Sequence, residues 1–346
     1  MAGGQGTRFW PISRLKCPKQ FLSLTDSGVS LIRATADRVR TLCTPDSLYV
    51  VTGPQHAELA KQHVPFAQII REPEAKNTAA SIGLAAVILK QRDPEAVMVV
   101  LPADHTVREE ALLNQALGRA IEIAAKEKLL VTVGIRPSFA HTGYGYMKRG
   151  SEIKDPVYRV SRFYEKPNSE RAKLYVESGE YFWNSGMFVF RTSVILEAIA
   201  EYMPELHRAL LNIESKLESD QREDALKNAF ETLDSVSIDF GVLEHARNCA
   251  MVCAGDFGWS DVGSWDAWAE SFNADQDSNV LDSNTINIGS CGCIVKSEKR
   301  TVAIVGAVDM VVIDSGDALL VCSRDSLQDV KKVVEELKAR GKSELI

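Results

Sequence analysis

Residues 96–104 read Ala-Val-Met-Val-Val-Leu-Pro-Ala-Asp, an apolar run closed by a polar turn. An uninterrupted run of this kind suits a strand buried on both faces, the pattern of a central strand in a parallel sheet. Its neighbours agree. Residues 48–52 (LYVVT) read as a short buried strand, 77–91 as a helix with a small apolar face, 109–126 as a helix and 129–134 as a strand. Strands alternating with helices place the chain in the α/β class, with a Rossmann-like, mostly parallel sheet. Such sheets bind ligands at the carboxyl ends of their strands, and Asp104 stands at one of them.

Beyond 139 the texture changes. Residues 139–190 carry Gly, Pro and aromatic residues in short segments, expected to lie over the sheet, and 192–230 have apolar positions at helix spacing. A polar stretch, 273–284, reads as a linker. After it come short β-rich segments and an amphipathic closing helix with Val330, Val333, Val334 and Leu337 on one face. The expected division is a large domain, 1–272, and a small β-helix-like domain, 277–346, with a terminal helix.

The 346 residues carry a formal net charge of −7, which argues against a nucleic-acid or anionic-membrane binder. No apolar run approaches the roughly 18 residues that span a bilayer. The N-terminus lacks a charged segment followed by an apolar one, so a cytoplasmic location is expected. Seven scattered cysteines point to reduced thiols, and the Cys291–Cys293 pair lacks the partners of a zinc site.

The local chemistry is concentrated at the N-terminus, where Gly3, Gly4, Gly6, Thr7 and Arg8 crowd into a few residues. Glycines let a backbone approach phosphates closely, and Arg8 and Lys19 supply cations. The string is neither a Walker A loop nor a dinucleotide fingerprint. The glycines alone suit a turn without a ligand equally well. The longer string G-G-x-G-T-R-x-x-P-x-S-R, followed by Pro18-Lys19-Gln20-Phe21, is far more specific.

That string resembles the sugar-1-phosphate nucleotidylyltransferases, and Trp10-Pro11 resembles the branch that pairs GTP with mannose 1-phosphate. The resemblance continues through Glu72-Pro73, Asn77-Thr78-Ala79-Ala80, Leu101-Pro102-Ala103-Asp104 and Thr142-Gly143-Tyr144-Gly145-Tyr146. It extends to Glu165-Lys166-Pro167, Trp183-Asn184-Ser185-Gly186, Ser237-Ile238-Asp239-Phe240 and Gly258-Trp259-Ser260-Asp261. In this family an apolar strand leads into the glycine loop, and Met1 stands at that strand's last position. An upstream start adding a short strand is therefore expected. Some members also carry a cupin-type isomerase domain; residues 275–346 contain no histidine, so isomerase activity is not expected.

The resemblance implies attack of mannose 1-phosphate on the α-phosphorus of GTP, giving GDP-mannose and pyrophosphate. A phosphate monoester has its second pKa at about 6, so the nucleophile needs no general base. The task is to neutralise charge. Arg8, Lys19 and Lys166 are the implied catalytic cations. Gly3, Gly4, Gly6, Thr7, Glu72, Asn77 and Thr78 are implied for the nucleotide. Gly145, Glu165, Lys166, Asn184 and Gly186 are implied for the sugar phosphate. A lone Asp more often caps a turn, but here Asp104 and Asp261 match the family's Mg²⁺ ligands. Cys17, two positions before Lys19, is expected to be an inhibitory alkylation target protected by GTP. The resemblance also implies a homodimer. Transfer to another sugar, such as a heptose 1-phosphate, and a non-catalytic regulatory subunit are the alternatives.

Overall fold

The apolar run does form a strand, and those around it alternate between two buried faces. The structure, a computed structural model, describes residues 1–25, 28–297 and 299–346. Along the chain come β1 (Tyr49–Thr52), β2 (Gln68–Arg71), β3 (Val97–Val100), β4 (Leu130–Ile135), β5 (Tyr146–Lys154), β6 (Val157–Tyr164), β7 (Tyr181–Arg191) and β8 (Cys249–Cys253). After them come β9 (Val280–Leu281), β10 (Thr285–Ile288), β11 (Ile294–Ser297), β12 (Val302–Val305), β13 (Met310–Asp314) and β14 (Leu319–Ser323). Two compact units result. One comprises Met1–Gly3, Thr35–Ala103 and Val107–Trp259; the other comprises Gly4–Ala34, Asp104–Thr106 and Ser260–Ile346.

In the first unit the main sheet has the order β3-β7-β4-β8-β6-β5, with β1 and β2 forming a separate parallel pair. The strands β3, β4 and β8 run in one direction, as a parallel core requires, but β7 runs antiparallel between the first two. Segments 146–154, 157–164 and 181–191 are thus part of the sheet, whereas the sequence reading laid them over it. Side chains follow the period of two. Leu130, Phe188 and Phe190 face helices Asn77–Arg92, Thr192–Tyr202, Pro204–Glu214 and Arg222–Thr232. Val131, Val133 and Val189 face helix Glu110–Lys126 on the other side. Met1 and Ala2 join the two sheets: Ala2 N donates to Val51 O at 2.8 Å, and Ala103 N donates to Met1 O at 3.0 Å.

In the second unit a buried cluster draws Phe9, Trp10, Leu24 and Leu31 together with Val262, Trp265, Trp268, Ile294, Val311 and Val334. This differs from the sequence boundary of 1–272 and 277–346. Segments 4–34 and 260–272 group with the C-terminal strands because these indoles and aliphatic side chains share one core, and 104–106 joins them through the Thr106–Ser260 backbone bridge. The small β domain winds in parallel rungs, with Thr285 opposite Val302 and Ile294 opposite Val311, an offset of 17 residues in each pair. Alternation on β11 serves two cores: Ile294 faces the tryptophans, while Val295 packs with Cys293, Ile304 and Val312. No helix of the described residues is long and apolar enough to cross a membrane.

Candidate active site

Polar side chains gather in three places, one in the second unit and two in the first. In the second unit the centre is Lys19, which starts the short turn Lys19–Phe21 and is only 5% exposed. A buried ammonium needs charge-paired partners. Its Nζ donates to Asp104 Oδ2 at 2.9 Å and to the Asp261 carbonyl at 2.6 Å. A two-way backbone bridge between Thr106 and Ser260 aligns the segments that carry the two aspartates. Burial pushes the Asp104 carboxyl up, but Lys19 and then His105 outweigh it, holding the group below the usual carboxylate range.

Gly6 makes this arrangement possible. Its φ is 59°, and a Cβ there would stand 2.5 Å from the Lys19 Cβ. The glycine is required by the lysine behind it as well as by any phosphate in front. Ser13 Oγ donates to Gln5 O at 3.0 Å and stiffens the same loop. Gly4, Thr7 and Arg8 lie on this loop, with Arg8 exposed on the turn Thr7–Phe9. Asp261 Oδ1 accepts from Gly263 N at 3.1 Å. Lys19 thus meets the Asp104 carboxylate and the Asp261 main chain, which brings together at one lysine the two residues that the resemblance implies for Mg²⁺. No cluster of three or more His, Cys, Asp or Glu occurs among the described residues.

In the first unit the resemblance-derived sugar residues do come together. Asn184 N, on β7, donates to Gly145 O at 2.8 Å. A Cβ on Gly145 would stand 2.5 Å from Glu165 Oε2, so the missing side chain makes room for that carboxylate. Glu165 Oε1 accepts from Lys166 Nζ at 2.7 Å, and Lys166 holds a φ of 47°. Strain of this kind in a non-glycine residue collects at functional sites. A cavity of about 460 Å³ opens on this turn, lined by Arg162, Lys166, Arg171, Tyr175 and His245 among others.

The Asn184 amide is largely committed within the protein. Its Oδ1 accepts from Thr132 Oγ1 at 3.1 Å and Gly186 N at 3.2 Å, and its Nδ2 donates to Asp239 Oδ1 at 2.7 Å. Asp239 and Thr132 are therefore parts of this cluster without a role in the sequence reading. Asp239 lay inside a quoted motif, and only its position shows what it faces. Burial, and then the Glu165 carboxylate, push the Asp239 carboxyl up to about 6 against the pull of Asn184 and Lys166.

The implied base residues form a third group. Glu72 is 3% exposed, and its Oε2 accepts from Ser81 Oγ on helix Asn77–Arg92. Its other oxygen stands 3.5 Å from the place a Cβ would take on Gly3. Burial pushes the Glu72 carboxyl up, with Ser81 and the chain's N-terminal ammonium opposing. Asn77 has a φ of 67°, and its Oδ1 accepts from Thr78 N. Thr78 Oγ1 accepts from Ile238 N at 2.8 Å, which ties this loop to the residue before Asp239.

Comparison with known proteins decides the family. A nucleotidyl transferase family model matches residues 1–278, and a MannoseP isomerase/GMP-like beta-helix domain model matches 283–337. The chain belongs to the mannose-1-phosphate guanylyltransferase family. It is 40% identical over 359 residues to the mannose-1-phosphate guanylyltransferase of Escherichia coli strain K12, covering 99% of this chain and 74% of that one. A Vibrio cholerae serotype O1 protein, described as a putative mannose-1-phosphate guanylyltransferase, is 38% identical over 352 residues, covering 99% of this chain and 75% of the relative. A crystal structure from Thermus thermophilus, titled mannose-1-phosphate geranyltransferase, superposes with a TM-score of 0.89 at 32% identity, covering 98% of both chains.

Proposed function

We propose that this chain transfers GMP from GTP to mannose 1-phosphate and releases pyrophosphate. The observation that carries the reading is the buried Lys19 ammonium held between the Asp104 carboxylate and the Asp261 carbonyl, in a chain whose relatives bear that activity in their names. A cation fixed in place needs no reorganisation as charge develops on the α-phosphoryl and the leaving pyrophosphate. The glycine loop offers backbone N–H groups to the GTP phosphates, and Arg8 adds an exposed guanidinium. Asp104 and Asp261 are the residues that would hold Mg²⁺, which when bound supplies further neutralisation of the phosphates.

Lys166, with Arg162 and Arg171 around the same cavity, meets the phosphate of the sugar substrate. The Glu72–Ser81 pair keeps the Gly3 backbone in place, while the Asn77–Thr78 turn stands beside guanine. A homodimer is supported by the exposed apolar row of Ile286, Ile288 and Val305 on β10 and β12, and light scattering of the purified chain tests it. A cytoplasmic location is proposed with it.

The decisive assay measures pyrophosphate release from each of the four nucleoside triphosphates against a panel of sugar 1-phosphates with Mg²⁺. Highest kcat/KM with GTP and mannose 1-phosphate is expected. Preference for another pair would overturn the reading.

A further inference from the structure

Between Arg8 and Lys19 in the sequence stands another arginine, Arg14, whose side chain is only 14% exposed. Both nitrogens on one edge of its guanidinium are committed within the protein. Nε donates to Pro11 O at 2.5 Å, while Nη2 donates to Ser315 Oγ at 3.1 Å and to Asp317 Oδ1 at 2.8 Å. The Arg14 main chain closes a tight turn: Arg14 N donates to Cys17 O at 3.1 Å, and Cys17 N donates to Arg14 O at 3.0 Å. Pro18 and Lys19 follow at once, so this turn fixes where the chain delivers the buried lysine. One residue back, Ser13 holds Gln5 O and with it the glycine loop. Residues 11–17 therefore join the two halves of the phosphate site.

The far end of the Arg14 contact is rigid. Asp314, 1% exposed, accepts from Gly316 N at 3.0 Å, and Ser315 N donates to Ala318 O at 3.0 Å, which sets the turn between β13 and β14. Two further bonds tie the same segment to the end of the β domain. Trp10 Nε1 donates to Leu345 O at 2.8 Å, and Leu15 N donates to Ile346 O at 3.0 Å. The Asp317 carboxylate is largely exposed, and an ion pair to so wet a group adds little stability. Packing is carried instead by the cluster of Phe9, Trp10, Trp265 and Val334. What the arginine supplies is orientation. Its planar fork meets the Pro11 carbonyl and the Ser315 and Asp317 oxygens in one geometry, which the single ammonium of a lysine does not reproduce.

We infer that Arg14 is a positioning residue for the transfer step. Anchored on turn 314–318, it holds residues 11–17 so that the glycine loop and the Lys19 ammonium keep their places while charge builds on the phosphates. The β domain thereby takes part in turnover without supplying a group that touches substrate. A displacement of about 1 Å at a reacting site costs on the order of 100-fold in rate, so loss of Arg14 lowers kcat by about 10- to 100-fold.

The inference deepens the proposed nucleotide site and rests on that reading. Its test measures pyrophosphate release by the full chain, with the nucleotide and sugar 1-phosphate that wild type turns over best. Each variant is assayed where circular dichroism shows it folded. Arg14→Gln should lower kcat about 10- to 100-fold. Its KM for the sugar phosphate should stay within about 3-fold, because the residues proposed for the sugar lie in the first unit. Arg14→Lys keeps the charge without the fork and should remain at least about 5-fold below wild type in kcat. Ser315→Ala combined with Asp317→Ala removes only the anchor in the β domain. This pair should lower kcat about 3- to 10-fold in the presence of Arg14, and less than about 2-fold when added to Arg14→Gln.

A folded Arg14→Gln with wild-type kcat would overturn the inference, as would full rescue by Arg14→Lys. So would an anchor variant whose effect is the same with and without Arg14. If Arg14→Gln does not fold, the anchor variant decides alone, and wild-type kcat there overturns the inference. The two readings fail separately: a best substrate pair other than GTP and mannose 1-phosphate refutes the proposed function and leaves the Arg14 test intact. A chain that turns over no pair refutes both.

Discussion

Replacing Asp239 by Asn should make the protein more stable at neutral pH, by an amount that depends on pH in a definite direction. The Asp239 carboxyl has its pKa raised from 3.8 to about 6, first by burial and then by Glu165, with Lys166 and Asn184 opposing. A shift of about two units corresponds to at most about 3 kcal/mol of differential stabilisation. Because the folded pKa lies above the unfolded one, the folded chain holds the proton more tightly, and stability falls as pH rises between the two values. The penalty is absent below about pH 4 and complete above about pH 6. The neutral amide keeps the Asn184 bond and removes the repulsion, so the variant should melt about 3–6 °C higher than wild type at pH 8. The assay is thermal unfolding of the ligand-free proteins from pH 4 to 8, with both chains in the same buffers. The gap between the melting curves should shrink to nothing toward pH 4. A gap that is flat across this range, or a variant less stable at pH 8, would refute the electrostatic argument.

Other perturbations follow from the same contacts. Lys19→Met should remove the ammonium between Asp104 and Asp261 and lower kcat for pyrophosphate release by about 10²- to 10³-fold, and near-normal turnover would contradict its placement. Gly145→Ala puts a methyl 2.5 Å from Glu165 Oε2, so the KM for the sugar phosphate should rise about 10-fold while the KM for GTP stays put in steady-state assays. Asp261→Asn should lose most Mg²⁺-stimulated turnover with an unchanged circular dichroism spectrum; full rates at saturating Mg²⁺ would exclude it as a ligand. Burial pushes the Cys17 thiol up, so its alkylation at pH 7 should be slower than that of a free thiol, which weakens the expectation of ready inhibition and is measured by mass-resolved labelling.

The elements legible in the sequence were those with an unbroken apolar run or with apolar positions at helix spacing. Residues 96–104 announced β3, and 77–91 announced the helix Asn77–Arg92, because every side chain facing the core there is aliphatic or small. The segment that becomes β7 did not read as sheet interior, since Trp183-Asn184-Ser185-Gly186 interrupts its apolar run. In the structure those polar groups are satisfied sideways: Ser185 Oγ donates to Val133 O at 2.7 Å, and Thr132 Oγ1 donates to Asn184 Oδ1. A polar residue in a central strand breaks the binary pattern where a site has to be built. Packing across long sequence separations was equally hidden. Nothing local to Phe9 or Trp10 shows that Trp265 and Val311 complete their core. Asp239 is the same problem at the scale of one side chain. Taken alone, an acid at the start of a short turn reads as a cap. Its meaning comes from Asn184, 55 residues earlier, from Glu165 and from the Thr78 hydroxyl that seats the preceding residue. Motifs far apart in the chain therefore become one site only through buried hydrogen bonds, and substitutions at those bonds should perturb sugar recognition even where no substrate atom is touched.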